Sequence, residues 1–484
     1  MNPLKKLAGQ TAIYGLSSII GRLLNYLLVP LYTSVFVKPS EFGVVSELYA
    51  WVAFLIVLLT FGFETTYFRF LQQEKDKKAV FQNSFLFIIA INVCFFSIAM
   101  FFNQEIADKL LYPNHPEYIV LLLMIVCIDA ISSLPLAKLR SEEKASKFAG
   151  IQFASIFINI GLNLLFMLIL FNPKHPEEGV FFILIANLIS SLVKPILLYH
   201  DFIHLKFKMQ WALLIEMIRY AFPLLIGGFA GIINETLDRI LLKQLLYDGG
   251  KTIEEATTQV GVYSAAYKLA MLVSIMLQAY RYAAEPFFFS QSKNENDTHT
   301  YVKLMNIFIA AVCFVFLLVS LNVSWLKVLF IRNESYWIGI GVVPILLLAN
   351  VFLGIYYNQS IWYKLSGQTR YGAYIAIGGA SLTILLNCIF IPIYGYWACA
   401  WTTLIVYAGQ MIASYVIGQK KYPIPYNLKR FFSYLSLALT LFFICKNITL
   451  SSQTLTIIIH NLFIVAYLMI VWKIESPKKI RKQG

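Results

Sequence analysis

The sequence predicts an all-α polytopic membrane protein of about 14 transmembrane helices, because its apolar residues come in runs of about 20. Hydrophobic residues make up 59% of the 484-residue chain and charged residues only 13%, far below the charged share of a soluble protein. Inside lipid, each backbone group must find its partner within its own segment, so the runs are expected to be helices. They are too long and too uniformly apolar for the strands of a membrane barrel.

The predicted spans follow one another through short connections, with no soluble domain between them. They lie near residues 9–36, 43–70, 82–103, 117–137, 148–171, 179–199, 213–246, 258–289, 304–322, 338–360, 372–392, 396–418, 431–446 and 455–472. The first is too long for a cleavable signal peptide and is expected to remain as a helix. Lys and Arg are concentrated in alternate connections, which predicts a bacterial inner-membrane protein with both termini in the cytoplasm.

An internal repeat relates the two halves of the chain. Residues 43–49 in the second span match residues 261–267 in the eighth, and Asn163 in the fifth corresponds to Asn387 in the eleventh. Spans 1–6 and 7–12 are therefore predicted to be two copies that enter the membrane in the same orientation. The predicted domains are an N-lobe of helices 1–6 (1–205), a C-lobe of helices 7–12 (206–420), and helices 13–14 with a basic tail (421–484).

Charged residues inside the spans are concentrated in spans 1, 2, 7 and 8. A charge at mid-bilayer costs roughly 3 kcal/mol on insertion scales, so these groups should face a watery cavity or one another. Arg22 and Lys268 have no acidic neighbour at helical spacing. We therefore expect these two residues either to contact the substrate or to pair with a charge on another helix. Residues near span ends could instead snorkel to the interface; these are Arg69, Glu216, Arg219 and Lys243.

Helical spacing predicts one polar stripe on span 1 and another on span 8. The first comprises Thr11, Tyr14, Ser18, Arg22 and Asn25, and the second Ser264, Tyr267, Met271, Ser274, Gln278, Arg281 and Glu285. Glu235 with Arg239, and Arg281 with Glu285, have the spacing of pairs that neutralise each other. Glu64 is interpreted as a proton or sodium site, or as the counter-ion of Arg22. Asp129 and Lys194 are the charged residues that fall in other spans.

Catalytic signatures are missing from the sequence. There is no phosphate-binding Walker motif, no metalloprotease motif and no nucleophile elbow, and the six cysteines lack metal-ligand spacing. We therefore expect no enzyme, cofactor or bound metal, and transport driven by an H⁺ or Na⁺ gradient, the membrane potential or the substrate gradient. The net charge of +14 is attributed to contact with anionic lipid headgroups rather than with nucleic acid.

Short motifs in a fixed order carry a family resemblance over essentially the whole chain. They are Gly9-Gln10-Thr11-Ala12-Ile13-Tyr14-Gly15 followed by Arg22, Glu41-Phe42-Gly43, Asp238-Arg239, Gly261-Val262-Tyr263-Ser264 and Glu285-Pro286-Phe287. The sequence resembles the polysaccharide transport branch of the multidrug/oligosaccharidyl-lipid/polysaccharide exporter superfamily. The resemblance implies a V-shaped pair of six-helix lobes, with helices 1, 2, 7 and 8 lining a central cavity. It also implies that Arg22, Arg239 and Arg281 match the family's cavity cations.

The resemblance implies a flippase for a polyprenyl-diphosphate-linked oligosaccharide, such as an O-antigen or capsule precursor. The expected roles are diphosphate binding by Arg22, Arg239, Lys268 and Arg281, sugar contact by Tyr14, Asn25, Tyr267 and Gln278, and ion coupling or charge balance by Glu64, Asp129, Glu235, Asp238 and Glu285. The prenyl tail would remain in lipid near spans 13 and 14. Expected partners are membrane lipid and glycan polymerase or ligase machinery, with the transporter itself a monomer.

Three alternatives stay open at this point. A lipid II flippase of peptidoglycan synthesis would work by the same physical mechanism, but its cargo has a peptide-bearing headgroup. A cation-coupled multidrug exporter would favour a cavity of net negative charge, whereas spans 1, 2, 7 and 8 carry acidic and basic groups in similar numbers. A membrane enzyme of glycan assembly usually carries a large outer loop for its chemistry, and no such loop is predicted here.

Reporter fusions test the predicted topology. We expect a green fluorescent protein fused after the last residue to fluoresce and an alkaline phosphatase fused there to be inactive, because both termini are predicted to be cytoplasmic. An active phosphatase at that position, or an odd number of spans from a fusion series, would contradict the interpretation of two parallel copies.

Overall fold

A computed structural model describes residues 19–203, 208–291, 298–448 and 452–476, with side chains throughout except at 279, 282–291 and 298. Within these ranges, 13 helices are long and apolar enough to cross a membrane, and a shorter apolar helix precedes them. Each lies at a predicted span, so the all-helical polytopic fold is confirmed. Of the predicted site residues, Tyr14 and the side chain of Glu285 lie outside the described part.

We number the membrane helices α1–α14. They are α1 (Ile19–Val35), α2 (Pro39–Gln73), α3 (Lys77–Phe101), α4 (Pro116–Ser141), α5 (Ala145–Leu170), α6 (Pro176–Leu197), α7 (Trp211–Asp248), α8 (Ile253–Gln291), α9 (Thr298–Leu321), α10 (Glu334–Leu365), α11 (Arg370–Tyr394), α12 (Tyr396–Lys421), α13 (Leu428–Lys446) and α14 (Gln453–Glu475). Short helices at Asn103–Lys109, Tyr199–Ile203 and Val323–Phe330 lie between them.

Local sequence signals explain several helix starts. Pro39, Pro116 and Pro176 occupy the first turn of α2, α4 and α6, where a missing N–H costs nothing and the fixed φ suits a helix. The Asp76 carboxylate caps α3 by accepting from the backbone N–H groups of Lys78 and Ala79. These signals place the start of each of these helices in the polar connection just before its apolar run.

Helix α2 is interrupted between Thr60 and Phe63. Phe61 and Gly62 both have left-handed backbone angles, with φ of 52° and 70°. A left-handed phenylalanine costs roughly 1–2 kcal/mol, and its ring packs against Phe87 of α3 with centroids 5.5 Å apart. At Gly62, a Cβ would lie 3.0 Å from the Leu224 Cβ of α7. The interruption therefore redirects the second part of α2 while keeping it packed on α3 and α7.

The described residues divide into two compact units. Unit 1 is drawn from residues 1–265, 331–338 and 376–402, and unit 2 from residues 266–330, 339–375 and 403–484. Helix α7 belongs to unit 1, because it packs along α2. The predicted lobes (1–205 and 206–420) and the third region (421–484) stay a prediction.

In unit 2, the pair α13–α14 is anchored to α9 through polar contacts. The Tyr467 hydroxyl donates to the Ala310 carbonyl at 3.0 Å, and the Asn461 Nδ2 donates to Asn322 Oδ1 at 3.1 Å. His460 places its ring nitrogens 2.8 Å from the Leu321 carbonyl and 3.2 Å from the Cys445 carbonyl. Each of these groups finds a partner inside the protein, which the lipid could not supply.

Two glycines allow the backbones of α2 and α8 to touch inside unit 1. A Cβ on Gly261 would overlap the Pro39 carbonyl and approach the Gly43 nitrogen to 3.0 Å. A Cβ on Gly43 would overlap the Thr257 carbonyl. Small residues are what permit such close helix crossings in membranes. Gly43 and Gly261 are also matched positions of the internal repeat, so the two copies of the motif contact each other.

Substitution of Gly261 tests this crossing. Gly261→Ala should lower the free energy of unfolding by about 1–3 kcal/mol, because the added methyl group must push two backbones apart. Gly150→Ala in α5 is the matched control, since a Cβ there would have no neighbour within 4 Å. Thermal unfolding in detergent measures both variants. Equal unfolding midpoints for Gly261→Ala and Gly150→Ala would contradict the contact.

Candidate functional site

Arg22 lies on the described part of α1 and is exposed. It makes no hydrogen bond or ion pair with any residue of the ranges that the structure describes. Asn25, three residues further along α1, is also exposed, and its Oδ1 accepts from Asn159 Nδ2 of α5 at 3.3 Å. If α1 lies in the membrane as the sequence predicts, a guanidinium on it without a counter-ion must reach water or an anion. The other three members of the predicted stripe (Thr11, Tyr14 and Ser18) lie outside the described residues.

Glu64 has a counter-ion other than the one considered from the sequence. Its Oε1 lies 2.6 Å from Arg140 Nη2 of α4, and its side chain is 46% exposed. The Arg140 guanidinium also lies 5.2 Å from the centre of the Phe68 ring. Arg22 and Glu64 are not paired here, because α4 brings its own arginine to the second part of α2. A proton or sodium role for Glu64 stays a prediction.

Asp129 and Lys194, the charged residues outside spans 1, 2, 7 and 8, pair with each other. Lys194 Nζ of α6 lies 2.7 Å from Asp129 Oδ1 of α4. Nearby, Asn187 of α6 donates to the Tyr49 hydroxyl of α2 at 2.8 Å. Lys194 therefore neutralises Asp129, and the role of Asp129 in ion coupling or in balancing cavity charge stays a prediction.

Helix α7 carries a second cation of the predicted set, in a more enclosed position. The Arg239 side chain is only 11% exposed, its Nη1 donates to the Glu235 carbonyl at 3.0 Å, and Nη1 lies 3.5 Å from Asp238 Oδ1. Asp238 also accepts from the Tyr263 hydroxyl at 2.5 Å. Arg239 is therefore held by its own helix, whereas Glu235 is exposed.

The predicted residues of α8 beyond position 265 belong to unit 2. The Arg281 guanidinium carbon lies 4.4 Å from the centre of the Tyr357 ring of α10. Tyr267 is 7% exposed, and Lys268 is half-buried. The buried Oε1 of Gln278 has no hydrogen-bond partner within the described segments. The polar stripe on α8 thus combines an exposed cation, Arg281, with groups that are buried or half-buried.

A wholly buried charge cluster joins α2, α7 and the connection before α4. Lys243 Nζ lies 2.9 Å from Glu47 Oε2, and both side chains are 0% exposed. Tyr112 donates to the same oxygen at 2.5 Å, and Lys243 also donates to the Leu110 carbonyl at 2.6 Å. Burial, and then the charge of Glu47, raises the pKa of Tyr112 well above its usual value, so its hydroxyl stays a donor.

Sequence reasoning did not identify this cluster as a unit. Snorkelling to the interface was one possibility for Lys243, but the side chain points inward, because Glu47 and the Leu110 carbonyl accept its hydrogen bonds. One signal was available in the repeat. Glu47 corresponds to Ala265 in the second copy, and an acid in place of alanine in an apolar helix indicates a specific partner.

Further contacts gather at the same ends of these helices. Lys38 Nζ lies 2.8 Å from Glu254 Oε1 at the start of α8. The Thr33 hydroxyl accepts from the Arg332 backbone N–H at 3.1 Å, and the Tyr336 hydroxyl donates to the Phe36 carbonyl at 3.3 Å. Together with the pair of Glu47 and Lys243, these contacts connect the start of α2 to the end of α7 and to the start of α8. They also connect the end of α1 to Arg332 and Tyr336.

Residues 7–291 match the family model described as polysaccharide biosynthesis protein. The chain belongs to this family. Solved structures share the fold of this family member at low sequence identity. One is the lipid II flippase MurJ in its inward closed conformation, with 14% identity, a TM-score of 0.73, and coverage of 95% of this chain and 97% of that chain.

Two other similar structures are transporters of the MATE family. An inward-facing multidrug resistance MATE family transporter of the MOP superfamily has 15% identity and a TM-score of 0.65, with 86% and 96% of the two chains covered. A MATE protein in the straight conformation has 15% identity and a TM-score of 0.59, with 90% and 97% covered. No curated protein matches the chain. This polysaccharide biosynthesis protein therefore has a multi-pass helical fold that is also found in a flippase and in transporters.

The buried pair in this family member has a testable energetic signature. Glu47→Gln or Lys243→Met alone should lower the free energy of unfolding by about 3–5 kcal/mol, because each leaves one buried group without its counter-charge. The double variant Glu47→Gln with Lys243→Met should recover most of the loss, since neither charge remains. Thermal unfolding of the purified single and double variants measures this coupling. Additive losses in the double variant would show that the two side chains do not depend on each other.

Proposed function

We propose that this protein is a flippase that moves a polyprenyl-diphosphate-linked oligosaccharide across a bacterial inner membrane by alternating access. The observation that carries the proposal is Arg22, an exposed arginine on the apolar helix α1 with no ion-pair partner among the described residues. By contrast, Glu64, Asp129 and Glu47 each have a cation within 3 Å. The Arg22 charge is therefore available to a ligand.

A diphosphate entering a cavity inside the membrane loses its hydration, and the protein must replace it with charged donors. Arg22 supplies such donors directly. Lys268, Arg239 and Arg281 are the further cations of the proposed site, although Arg239 would first have to leave the contacts of its own helix. Tyr14, Asn25, Tyr267 and Gln278 are the proposed sugar contacts, since amides and phenols match the hydroxyl groups of a glycan.

The family description supports a glycan precursor as the cargo. A lipid II flippase is the second candidate, favoured by the similarity to the lipid II flippase MurJ. A cation-coupled drug exporter is the third, through the similarity to MATE transporters. An unpaired arginine argues against cationic drugs, because it would repel them.

The remaining parts of the proposal concern energy, orientation and partners. Glu64, Asp129, Glu235, Asp238 and Glu285 are the candidate groups for coupling to H⁺ or Na⁺ or for balancing cavity charge. Both termini are proposed to be cytoplasmic, with the prenyl tail in lipid beside α13 and α14. Glycan polymerase or ligase machinery would receive the flipped product, and the transporter would act as a monomer.

Substitution of Arg22 tests the proposed function. In proteoliposomes without nucleotide, Arg22→Ala should reduce flipping of an undecaprenyl-diphosphate-linked oligosaccharide by more than tenfold, because a charge-assisted hydrogen bond contributes roughly 1.5–3 kcal/mol. Arg22→Lys should retain partial activity if charge alone matters and little if bidentate geometry matters. The unfolding midpoint should not change, since the side chain has no described partner.

Arg69→Ala is the matched control, because Arg69 is an exposed arginine whose guanidinium carbon lies 4.1 Å from the centre of the Tyr220 ring. It should flip the oligosaccharide at the rate of the unaltered protein. Parallel assays with lipid II and with a cationic dye separate the three candidate cargoes. Unaltered flipping by Arg22→Ala, or a strict requirement for ATP, would overturn the proposal.

A further inference from the structure

A chain of hydrogen bonds connects the buried side of α1 to its exposed side through α5. The Tyr32 hydroxyl donates to Asn163 Oδ1 at 2.8 Å. Asn163 Nδ2 donates to the Asn159 backbone carbonyl at 2.8 Å and to Asn159 Oδ1 at 3.1 Å. Asn159 Nδ2 then donates to Asn25 Oδ1 at 3.3 Å. Tyr32 is 7% exposed and Asn163 is 1% exposed, whereas Asn25 lies at the surface.

One backbone carbonyl sets the orientation of all three amides in this chain. A carbonyl can only accept, so the Asn163 atom that faces the Asn159 carbonyl must be the NH₂ group. The second hydrogen of that NH₂ requires Oδ1 of Asn159, which turns the Asn159 NH₂ towards Asn25. Asn25 must therefore use its Oδ1 inward and direct its own NH₂ away from α5.

The outward NH₂ of Asn25 lies on the same helix as the Arg22 guanidinium, three residues away. No residue within the described ranges accepts a hydrogen bond from Asn25 Nδ2. This part of α1 therefore offers hydrogen-bond donors from two neighbouring side chains, while the acceptor of Asn25 is occupied.

We propose that Asn25 is a dedicated hydrogen-bond donor to an oxygen acceptor of the cargo, and that Asn159 and Asn163 are positioning residues that hold its amide in this orientation. The inference rests on the proposed function and deepens it. The acceptor is an oxygen of the diphosphate or a carbonyl or hydroxyl oxygen of the sugar. A cargo that presents an ammonium or another donor to this face would be rejected, because Arg22 and Asn25 have no acceptor to offer it.

The second copy of the repeat does not reproduce this chain of hydrogen bonds. Asn387 of α11 corresponds to Asn163 and is 0% exposed. Neither its Nδ2 nor its Oδ1 has a hydrogen-bond partner in the described parts of the chain. The orientation of a surface amide through two further asparagines is thus a property of α1 and α5 in the first copy.

The test separates cargo affinity from turnover in proteoliposomes, with an undecaprenyl-diphosphate-linked oligosaccharide containing N-acetylglucosamine as the probe. Asn25→Leu and Asn159→Leu should each raise KM about tenfold and leave kcat within about twofold, because a hydrogen bond to the cargo is lost or left disordered. Asn25→Gln should recover part of the affinity. Asn187→Leu is the matched control, since it also removes an amide between two helices, and its KM should not change.

Competition experiments identify the acceptor. Weaker inhibition of Asn25→Leu by inorganic pyrophosphate indicates a diphosphate oxygen, and weaker inhibition by free N-acetylglucosamine indicates a sugar oxygen. Unaltered KM in Asn25→Leu would overturn the donor role, and unaltered KM in Asn159→Leu would overturn the positioning role. Asn25 is exposed, so its variants carry the test even if Asn159→Leu does not fold. Failure of the proposed function is recognised separately, by full activity of Arg22→Ala.

Discussion

A charged side chain at the centre of a bilayer costs roughly 3 kcal/mol, and the described helices of this protein meet that cost in two ways. Several charges are paired across helices, as with Asp129 and Lys194, or with Glu47 and Lys243. Arg22 is treated differently, since it is exposed and the described residues give it no counter-ion. Pairing explains how the fold tolerates these charges, and the unpaired arginine is the basis of the proposed cargo site.

The contact between α2 and α8 depends on the same constraint. With glycine at positions 43 and 261, the two backbones touch and leave no room for water or lipid between them. One turn further along α2, Glu47 is fully buried, so only a protein cation can neutralise it.

The internal repeat shows how one fold can carry different chemistry in its two copies. The glycines of the matched motif are kept in both copies and are used together. Glu47 of the first copy corresponds to an alanine in the second copy. The Asn163 amide is hydrogen-bonded, whereas the corresponding Asn387 amide has no hydrogen-bond partner among the described residues. Both copies therefore need a glycine for the close approach of the backbones. The polar contacts of Glu47 and Asn163, by contrast, occur only in the first copy among the described residues.

The sequence by itself determined the spans, because the transfer of a helix into lipid depends on consecutive residues. The fifth span was predicted at 148–171 and is observed as Ala145–Leu170. Helical spacing also placed Arg22 and Asn25 on one stripe. The tertiary structure decided which groups meet. Glu64 pairs with Arg140, Lys243 turns inward to Glu47, and Asn159 orients Asn25, since each of these contacts depends on how distant helices pack against one another.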